Sequence, residues 1–462
     1  MNNNYQYYKT TRSICPSCKQ IIPAKIIFIN NDVFMFKICK QHGEFTSLIY
    51  RGQEEYIKSL KINKPAVFPI KSFIKEFKGC AHSCGLCPEH QQHTCLPIIE
   101  ITNKCNMSCP ICLAYSRHGH DDFFMPPDKF KKTLENLIEA ESSFDLINLS
   151  GGEPTLHPQI IEMIDIARRP EIVNISISTN GRIFLRDKDL LLKLIDRGVF
   201  ISLQFDGFND KAYNVLRGQD LLQEKLQLLE LLEKYSASVS LVMTVMNGVN
   251  NNEIGKVIDF FLKNDFLRSI MFQPIVFTNP KIKYDISKVI TIPDIAKEIA
   301  AGSKGLIRET DIINLPCSHP SCFALTYLLK LDNKEYVPIP RIVDVNEYLD
   351  LIKNKTMPGL ESDSYGKIKE YIYSIWSSSG IQPESKKVLK AIRNVICELG
   401  RCENSADSKQ LFTVGEKHIK SIFIHHFMDA YNFDLSRVMK CCNQYPIDEN
   451  KLIPCCVYNN LM

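Results

Sequence analysis

The chain has 462 residues, too many for one ordinary domain, and its 45% apolar and 23% charged residues exclude a disordered or fibrous protein. A net charge of +4, from 56 basic against 52 acidic residues, gives no reason to expect a nucleic acid partner. No apolar run reaches the roughly 18 residues of a membrane-spanning helix, and the start, MNNNYQYYKTTRS, lacks the apolar core of an export signal. A cytoplasmic protein is expected, with peripheral membrane contact left open.

Eighteen cysteines set the direction. In a large chain without an export signal, clustered cysteines point to metal ligation and not to a disulfide framework. Residues 1–65 carry CPSC and CKQH on either side of strand-like IIFIN and VFMFK. Two ligand pairs flanking a hairpin can converge tetrahedrally, so Cys15, Cys18, Cys39 and His42 are expected to hold one zinc or one rubredoxin-like iron in a structural site. Residues 66–97 carry Cys80, Cys84, Cys87 and Cys95, a set that can close a [4Fe–4S] cluster, with structural zinc as the competing reading.

Residues 98–280 alternate between strands and helices. The strands are PIIEIT, DLINLS, IVNISIS, VFISLQFD, SVSLVMTV and SIMFQPI; helices are expected around Phe130–Ile138 and over 158–169, 188–197, 221–234 and 252–264. In IVNISIS, Val173, Ile175 and Ile177 oppose Asn174, Ser176 and Ser178, and VFISLQFD alternates likewise. A parallel strand covered by helices on both faces would be apolar throughout. The alternation therefore predicts an open, partial (β/α)6 barrel, with helices outside and a polar interior able to take a cofactor.

Residues 281–462 read as a C-terminal α+β iron–sulfur domain. Cys317 and Cys322, with Cys442 and Cys456, are expected to ligate a third cluster; Cys441 and Cys455 are spares, and Cys397 and Cys402 bystanders. A helix there carries Val388, Leu389, Ile392, Val395, Ile396 and Leu399 on one face and Lys386, Lys387, Lys390 and Arg393 off it. It reads as a domain helix with a solvated basic face, in preference to a membrane-surface helix.

The loop after the first barrel strand is Cys105-Asn-Met-Ser-Cys109-Pro-Ile-Cys112. Three thiolates can hold three irons of a [4Fe–4S] cube and leave the fourth open. This motif, in this position, resembles the radical S-adenosylmethionine superfamily. The resemblance implies that the open iron chelates S-adenosylmethionine and that an electron then releases a 5′-deoxyadenosyl radical. Gly151-Gly152-Glu153-Pro154 resembles the family's turn for the cofactor's amino group, where a carboxylate suits an ammonium. Ser178-Thr179-Asn180 resembles the ribose segment, and Gln204, Asp206, Arg217, Asn247 and Gln273 fall at or just past strand ends, where a barrel carries its site.

A narrower resemblance rests on GCAHSCGLCPEHQQHTC, ITNKCNMSCPIC and HHFMDAYNFDLSRVMKCCNQYP, which look like the tetraether lipid synthase family and its relatives. That implies carbon–carbon coupling of terminal methyl groups on membrane lipid chains, ether or fatty acyl, with three [4Fe–4S] clusters, one mononuclear metal and an external electron donor such as ferredoxin. The same blocks occur in proteins proposed to methylate a pterin, so a radical methyltransferase is the alternative.

Overall fold

The computed structural model describes residues 5–72, 74, 79–81, 84–85, 87–115, 122–331, 335–356, 383–402, 414–447 and 451–462. At the N-terminus, β1 (Gln6–Ile14), β2 (Ile21–Ile29), β3 (Asp32–Cys39) and β4 (Gly43–Tyr50) form an antiparallel sheet in that order. Asn30 and Asn31 both adopt left-handed backbone (φ 49° and 67°), the conformation a two-residue hairpin needs between β2 and β3. One face of this sheet packs on α1 (Gln53–Lys61) through Ile26, Phe28, Met35 and Tyr56.

The barrel follows as expected. β5 (Leu96–Thr102), α2 (Pro127–Glu141), β6 (Phe144–Gly151), α3 (Ile160–Ala167), β7 (Ile172–Thr179), α4 (Lys188–Asp196) and β8 (Phe200–Gln204) make its first half. α5 (Asp210–Arg217), α6 (Leu222–Lys234), β9 (Val239–Val245), α7 (Ile254–Lys263) and β10 (Leu267–Pro274) complete it. The six strands β5–β10 are parallel and neighbour one another in chain order. Their outward residues, among them Ile147, Ile177, Ile201, Leu241 and Ile270, are buried against Leu134, Ile164, Leu191, Leu232 and Ile258 of the surrounding helices. The inward faces of β6–β10 carry Asn148, Ser176, Ser202, Ser240 and Ser269, the polar interior that the alternation predicts.

The C-terminal region is built onto both open edges of this sheet. Beyond β10, its strand Ile419–His425 pairs parallel with β10, and the strand Phe323–Lys330 pairs antiparallel with it in turn. At the other edge the strand Asn443–Ile447 runs parallel to β5, with Asn443 opposite Leu96. The helix Pro383–Cys402 packs Val388, Ala391, Ile392 and Val395 on Leu329 and Val414, while Lys386, Lys387, Lys390 and Arg393 face outward. It is a domain helix; the side chains of Ile396 and Leu399 lie outside those described. Among the described residues no helix is long and apolar enough to cross a membrane.

The N-terminal sheet sits directly behind the cysteine loop. Leu48 of β4 shares a buried cluster with Ile111, Leu216 and Phe277, and Tyr284 stacks on Tyr431 at 4.2 Å. Thr11, Lys37 and Ser47 donate to Asp434 Oδ1, Ala430 O and Tyr431 O at 2.7, 2.6 and 2.7 Å.

Candidate active site and metal centres

Cys15 directly follows the first strand of the N-terminal sheet, Cys39 ends the third, and Cys18 and His42 lie in the turns after those strands. Their ligand atoms all fall within 4.8 Å of one another. Cys15 Sγ and Cys39 Sγ lie 3.6 and 3.5 Å from His42 Nδ1, and Cys18 Sγ lies 3.9 Å from Cys39 Sγ. These are the edge lengths of a tetrahedron around one ion with metal–ligand bonds of about 2.0–2.3 Å.

Cys105, Cys109 and Cys112 occupy the loop after β5, at the mouth of a cavity of about 380 Å³ inside the barrel. The loop is pinned from four sides. Ile111 N donates to Leu216 O (3.3 Å), Thr278 Oγ1 to Cys112 O (2.6 Å), Asn279 Nδ2 to Pro110 O (2.9 Å) and Arg217 Nη1 to Ile111 O (3.2 Å). Burial, Glu153 and the two neighbouring thiols push Cys105 up to about 12, and burial raises Cys109 against the opposing charge of Arg217. Three half-buried thiols that repel one another as thiolates fit a bound iron–sulfur cluster, whose cationic irons would offset that repulsion.

The glycines of the turn after β6 are required by backbone approach. A Cβ on Gly151 (φ +131°) would stand 1.9 Å from Thr102 O, and one on Gly152 would stand 2.3 Å from Lys104 O. Gly152 N and Glu153 N donate to Thr102 O and Lys104 O at 2.8 and 2.7 Å, so this turn and the cysteine loop are laced together. Glu153 follows these glycines and lines the cavity. Its buried carboxylate accepts Thr155 N, Thr155 Oγ1, Thr179 Oγ1 and Asn180 N at 2.6–3.1 Å. These donors tie β6 to β7; three of them share Oε1, and Oε2 accepts only Asn180 N. Pro154 starts a short turn behind it, away from the cavity wall.

Gly151, Gly152, Glu153, Ser178, Thr179, Asn180, Gln204, Arg217 and Gln273 all line the cavity with the three cysteines. Gln204 donates through Nε2 to Asp206, while its buried Oε1 has no protein partner, an acceptor left for a ligand donor. Asp206 and Asn247 do not line the cavity. Asp206 is fully buried beneath Arg217, which closes on it with Nε and Nη2 at 2.6 and 2.8 Å. Asn247 points outward to Ser287 O at 2.9 Å. Asn250 takes the buried place instead, joining Asp206 O, Thr244 O and Met246 N.

The far wall of the cavity comes from the C-terminal strands: Leu315, Phe323, Leu325, Phe423, His425, Phe427 and Tyr445. Phe323 and Phe427 stand 5.1 and 3.9 Å from the His425 ring, centroid to centroid. Burial and Arg437 hold His425 down at about 3, so it faces the cavity as neutral imidazole. Sequence reasoning missed this wall; the signal was the HHF segment, quoted above only as a family block.

The remaining cysteines regroup. Cys84 is raised by burial and by Cys80 and Cys87, which keeps those three together. Cys95 does not join them. The register Asn443↔Leu96 sets Cys442 beside Cys95, and Cys95 N and Leu96 N both donate to Cys442 O. Burial and then Cys442 push Cys317 up to about 12, so the third group is Cys95, Cys317 and Cys442. After burial, Cys441 is raised by Cys442, Cys455 and Cys322, and Cys456 is raised by burial and by Cys441. Cys322, Cys441, Cys442, Cys455 and Cys456 line one small second cavity, so Cys441 and Cys455 lie among the expected ligands, and Cys442 stands between this group and Cys95 and Cys317. Cys95 and Cys442 line the same cavity as Cys105, Cys109 and Cys112. Cys397 is exposed, and the side chain of Cys402 lies outside those described.

Residues 99–261 match the radical SAM superfamily, and residues 7–51 match the HMPTM N-terminal zinc ribbon domain. The 7,8-dihydro-6-hydroxymethylpterin dimethyltransferase of Methanocaldococcus jannaschii is 33% identical, the alignment covering 98% of this chain and 94% of that one. A probable GTP 3′,8-cyclase of Pyrococcus abyssi is 30% identical over 35% of this chain and 51% of its own length. Among solved structures, Streptococcus suis SuiB bound to precursor peptide SuiA has a TM-score of 0.38 at 14% identity, covering 46% of each chain. The full-length match and the ribbon overturn the expectation of lipid coupling, and with it the expected lipid partner. The chain belongs to the radical SAM superfamily, in the family of the Methanocaldococcus pterin dimethyltransferase with its N-terminal zinc ribbon.

Proposed function

We propose that this chain is a radical S-adenosylmethionine methyltransferase whose acceptor is a reduced pterin of the class named for its Methanocaldococcus relative. The observation that carries this reading is the 33% identity over 98% of this chain and 94% of that enzyme, which takes in ribbon, barrel and C-terminal strands together. The cavity agrees with it. About 380 Å³ is an ordinary small-molecule volume, and a wall of Phe323, His425 and Phe427 facing polar strand ends suits a flat, hydrogen-bonding bicyclic ring.

When bound at Cys105, Cys109 and Cys112, the cluster with S-adenosylmethionine supplies the deoxyadenosyl radical, and a further S-adenosylmethionine supplies the methyl carbon. The chain's own residues do the rest. Gly151 and Gly152 let the cofactor reach backbone, Gln204 Oε1 accepts from it, and Ser178 and Gln273 offer further polar atoms on the same wall. Arg217 holds the cysteine loop through Ile111 O and is a positioning residue. The apolar far wall keeps water from the radical. The electron comes from an external one-electron donor of the ferredoxin kind.

The test is anaerobic incubation of the reconstituted protein with dithionite, S-adenosylmethionine and 7,8-dihydro-6-hydroxymethylpterin, followed by mass spectrometry. A pterin gaining one or two methyl groups, with deoxyadenosine and S-adenosylhomocysteine, is the expected result. Deoxyadenosine without methylation of that pterin would overturn the assignment of the acceptor.

A further inference from the structure

Helix α6 begins against the cysteine loop: Leu222 and Leu226 pack in one cluster with Met107, Cys105 and Cys109. Lys225 lies between those two leucines and is fully buried. We propose that Lys225 is a positioning residue of the cofactor cluster: its ammonium, held beside Cys109 through Asn180, supplies positive charge that makes the cluster at Cys105, Cys109 and Cys112 easier to reduce.

Lys225 Nζ donates to Asn180 O at 2.6 Å. Asn180 lines the cavity, and its other polar atoms are all engaged. Its N donates to Glu153 Oε2 at 2.7 Å, its Nδ2 donates to Asn106 Oδ1 at 2.7 Å, and its Oδ1 accepts Arg182 N at 3.1 Å. Asn106 follows Cys105 in the loop. Asn180 therefore joins the ammonium from α6, the carboxylate after β6 and the loop that carries the thiols.

Buried ions are ordinarily paired. Among the described residues no carboxylate bonds Lys225. The acidic groups around it are taken by others: Asp206 by Arg217, Glu224 by Arg182 at 2.7 and 3.1 Å, and Glu153 by Thr155, Thr179 and Asn180. An ammonium left with one carbonyl acceptor is costly to bury, and the thiolates of the loop bring negative charge to the same place.

Burial holds Lys225 at about 8, so at neutral pH it still carries its proton. Burial raises the Cys109 thiol, while Arg217 and, after it, Lys225 favour the thiolate. Arg217 brings its own carboxylate in Asp206; Lys225 has no such partner. Reduction of a cluster adds one negative charge, and a cation fixed nearby in a buried, weakly screened place favours the reduced state. The inference rests on the cofactor cluster alone and not on the identity of the methyl acceptor.

The test is a redox titration of the reconstituted full chain at pH 7, read by EPR. The signal that changes when S-adenosylmethionine is added marks the cluster with the open iron. Lys225→Met and Lys225→Gln are both expected to shift its midpoint to more negative potential, and Lys225→Arg to leave it near that of the parent. Gln can still donate to Asn180 O without the charge, which separates the hydrogen bond from the electrostatics. A parent-like midpoint in Lys225→Gln or Lys225→Met would overturn the proposal. Loss of this cluster from both neutral variants, with metal retained at the ribbon, would also overturn it, because Lys225 would then build the site and not tune it.

Discussion

Asp206 and Arg217 meet in a two-point ion pair, Nε to Oδ2 at 2.6 Å and Nη2 to Oδ1 at 2.8 Å, sealed under the cysteine loop. Asp206 lies two residues past β8 and Arg217 is the last residue of α5, with Gly218 in left-handed backbone as its cap. Their pairing fixes where α5 stops, and the remaining guanidinium hydrogens reach Ile111 O and Thr244 Oγ1. Removing one partner leaves the other charge buried. Arg217→Ala should therefore cost about 3–5 kcal/mol of stability, read by thermal unfolding of the anaerobic protein. An unchanged midpoint would mean that water reaches Asp206.

Gly152→Ala tests the lacing of the turn to the loop. The new methyl would meet backbone oxygens of Asn103 and Lys104 at 2.5 and 2.3 Å, and neither can rotate aside. The expected cost is about 1–3 kcal/mol, concentrated at the cysteine loop. Iron at Cys105–Cys112 and S-adenosylmethionine binding should fall, while metal at the ribbon is retained. Equal loss at both sites would show a general unfolding instead.

Lys225 gives a pH signature. Its amine is fully buried, donates to Asn180 O at 2.6 Å, and is held at about 8 chiefly by burial, against an ordinary value of 10.5. Between pH 8 and 10.5 the unfolded chain keeps a proton that the folded chain has released, so this group makes stability rise with pH across that window. The difference is on the order of 3 kcal/mol over the whole window. Lys225→Met should remove that rise when the two proteins are compared by chemical denaturation from pH 7 to 10. Parallel curves would contradict it.

The ribbon should stabilise the radical site from a distance. Leu48 packs in one cluster with Ile111, and the sheet is bonded to residues 430–434 at three points. Cys18→Ser is expected to remove about one metal ion per chain. It should also lower iron occupancy at Cys105, Cys109 and Cys112, measured by metal analysis and EPR. Full cluster loading without the ribbon metal would show the two sites to be independent.

Strand periodicity made the barrel legible because each strand carries its own pattern: Ile175 and Ile177 outside, Ser176 and Ser178 inside. The ribbon was legible because its ligands are close in sequence and their spacing is local. The partition of the other cysteines was not. It is decided by the register of Asn443 on Leu96, a contact between segments hundreds of positions apart, and no local spacing encodes it. The same holds for Asn247 and Asn250. Both sit in one short segment after β9, and only the position of Asp206 O selects the second. The acceptor was misread because the shared blocks carry metal ligands, which related enzymes with different substrates have in common. Phe323 and His425, which line the far wall of the cavity, lie outside the cysteine motifs.

Cys95, Cys317 and Cys442 are brought side by side by the last strands of the chain. Cys442 therefore leaves the ribosome hundreds of residues after Cys95, and until then the first two of these thiols have no third beside them. Chains truncated before Cys442 would leave Cys95 and Cys317 without their neighbour, whereas the ribbon, whose ligands all lie within residues 15–42, could take its ion while the rest is still being made.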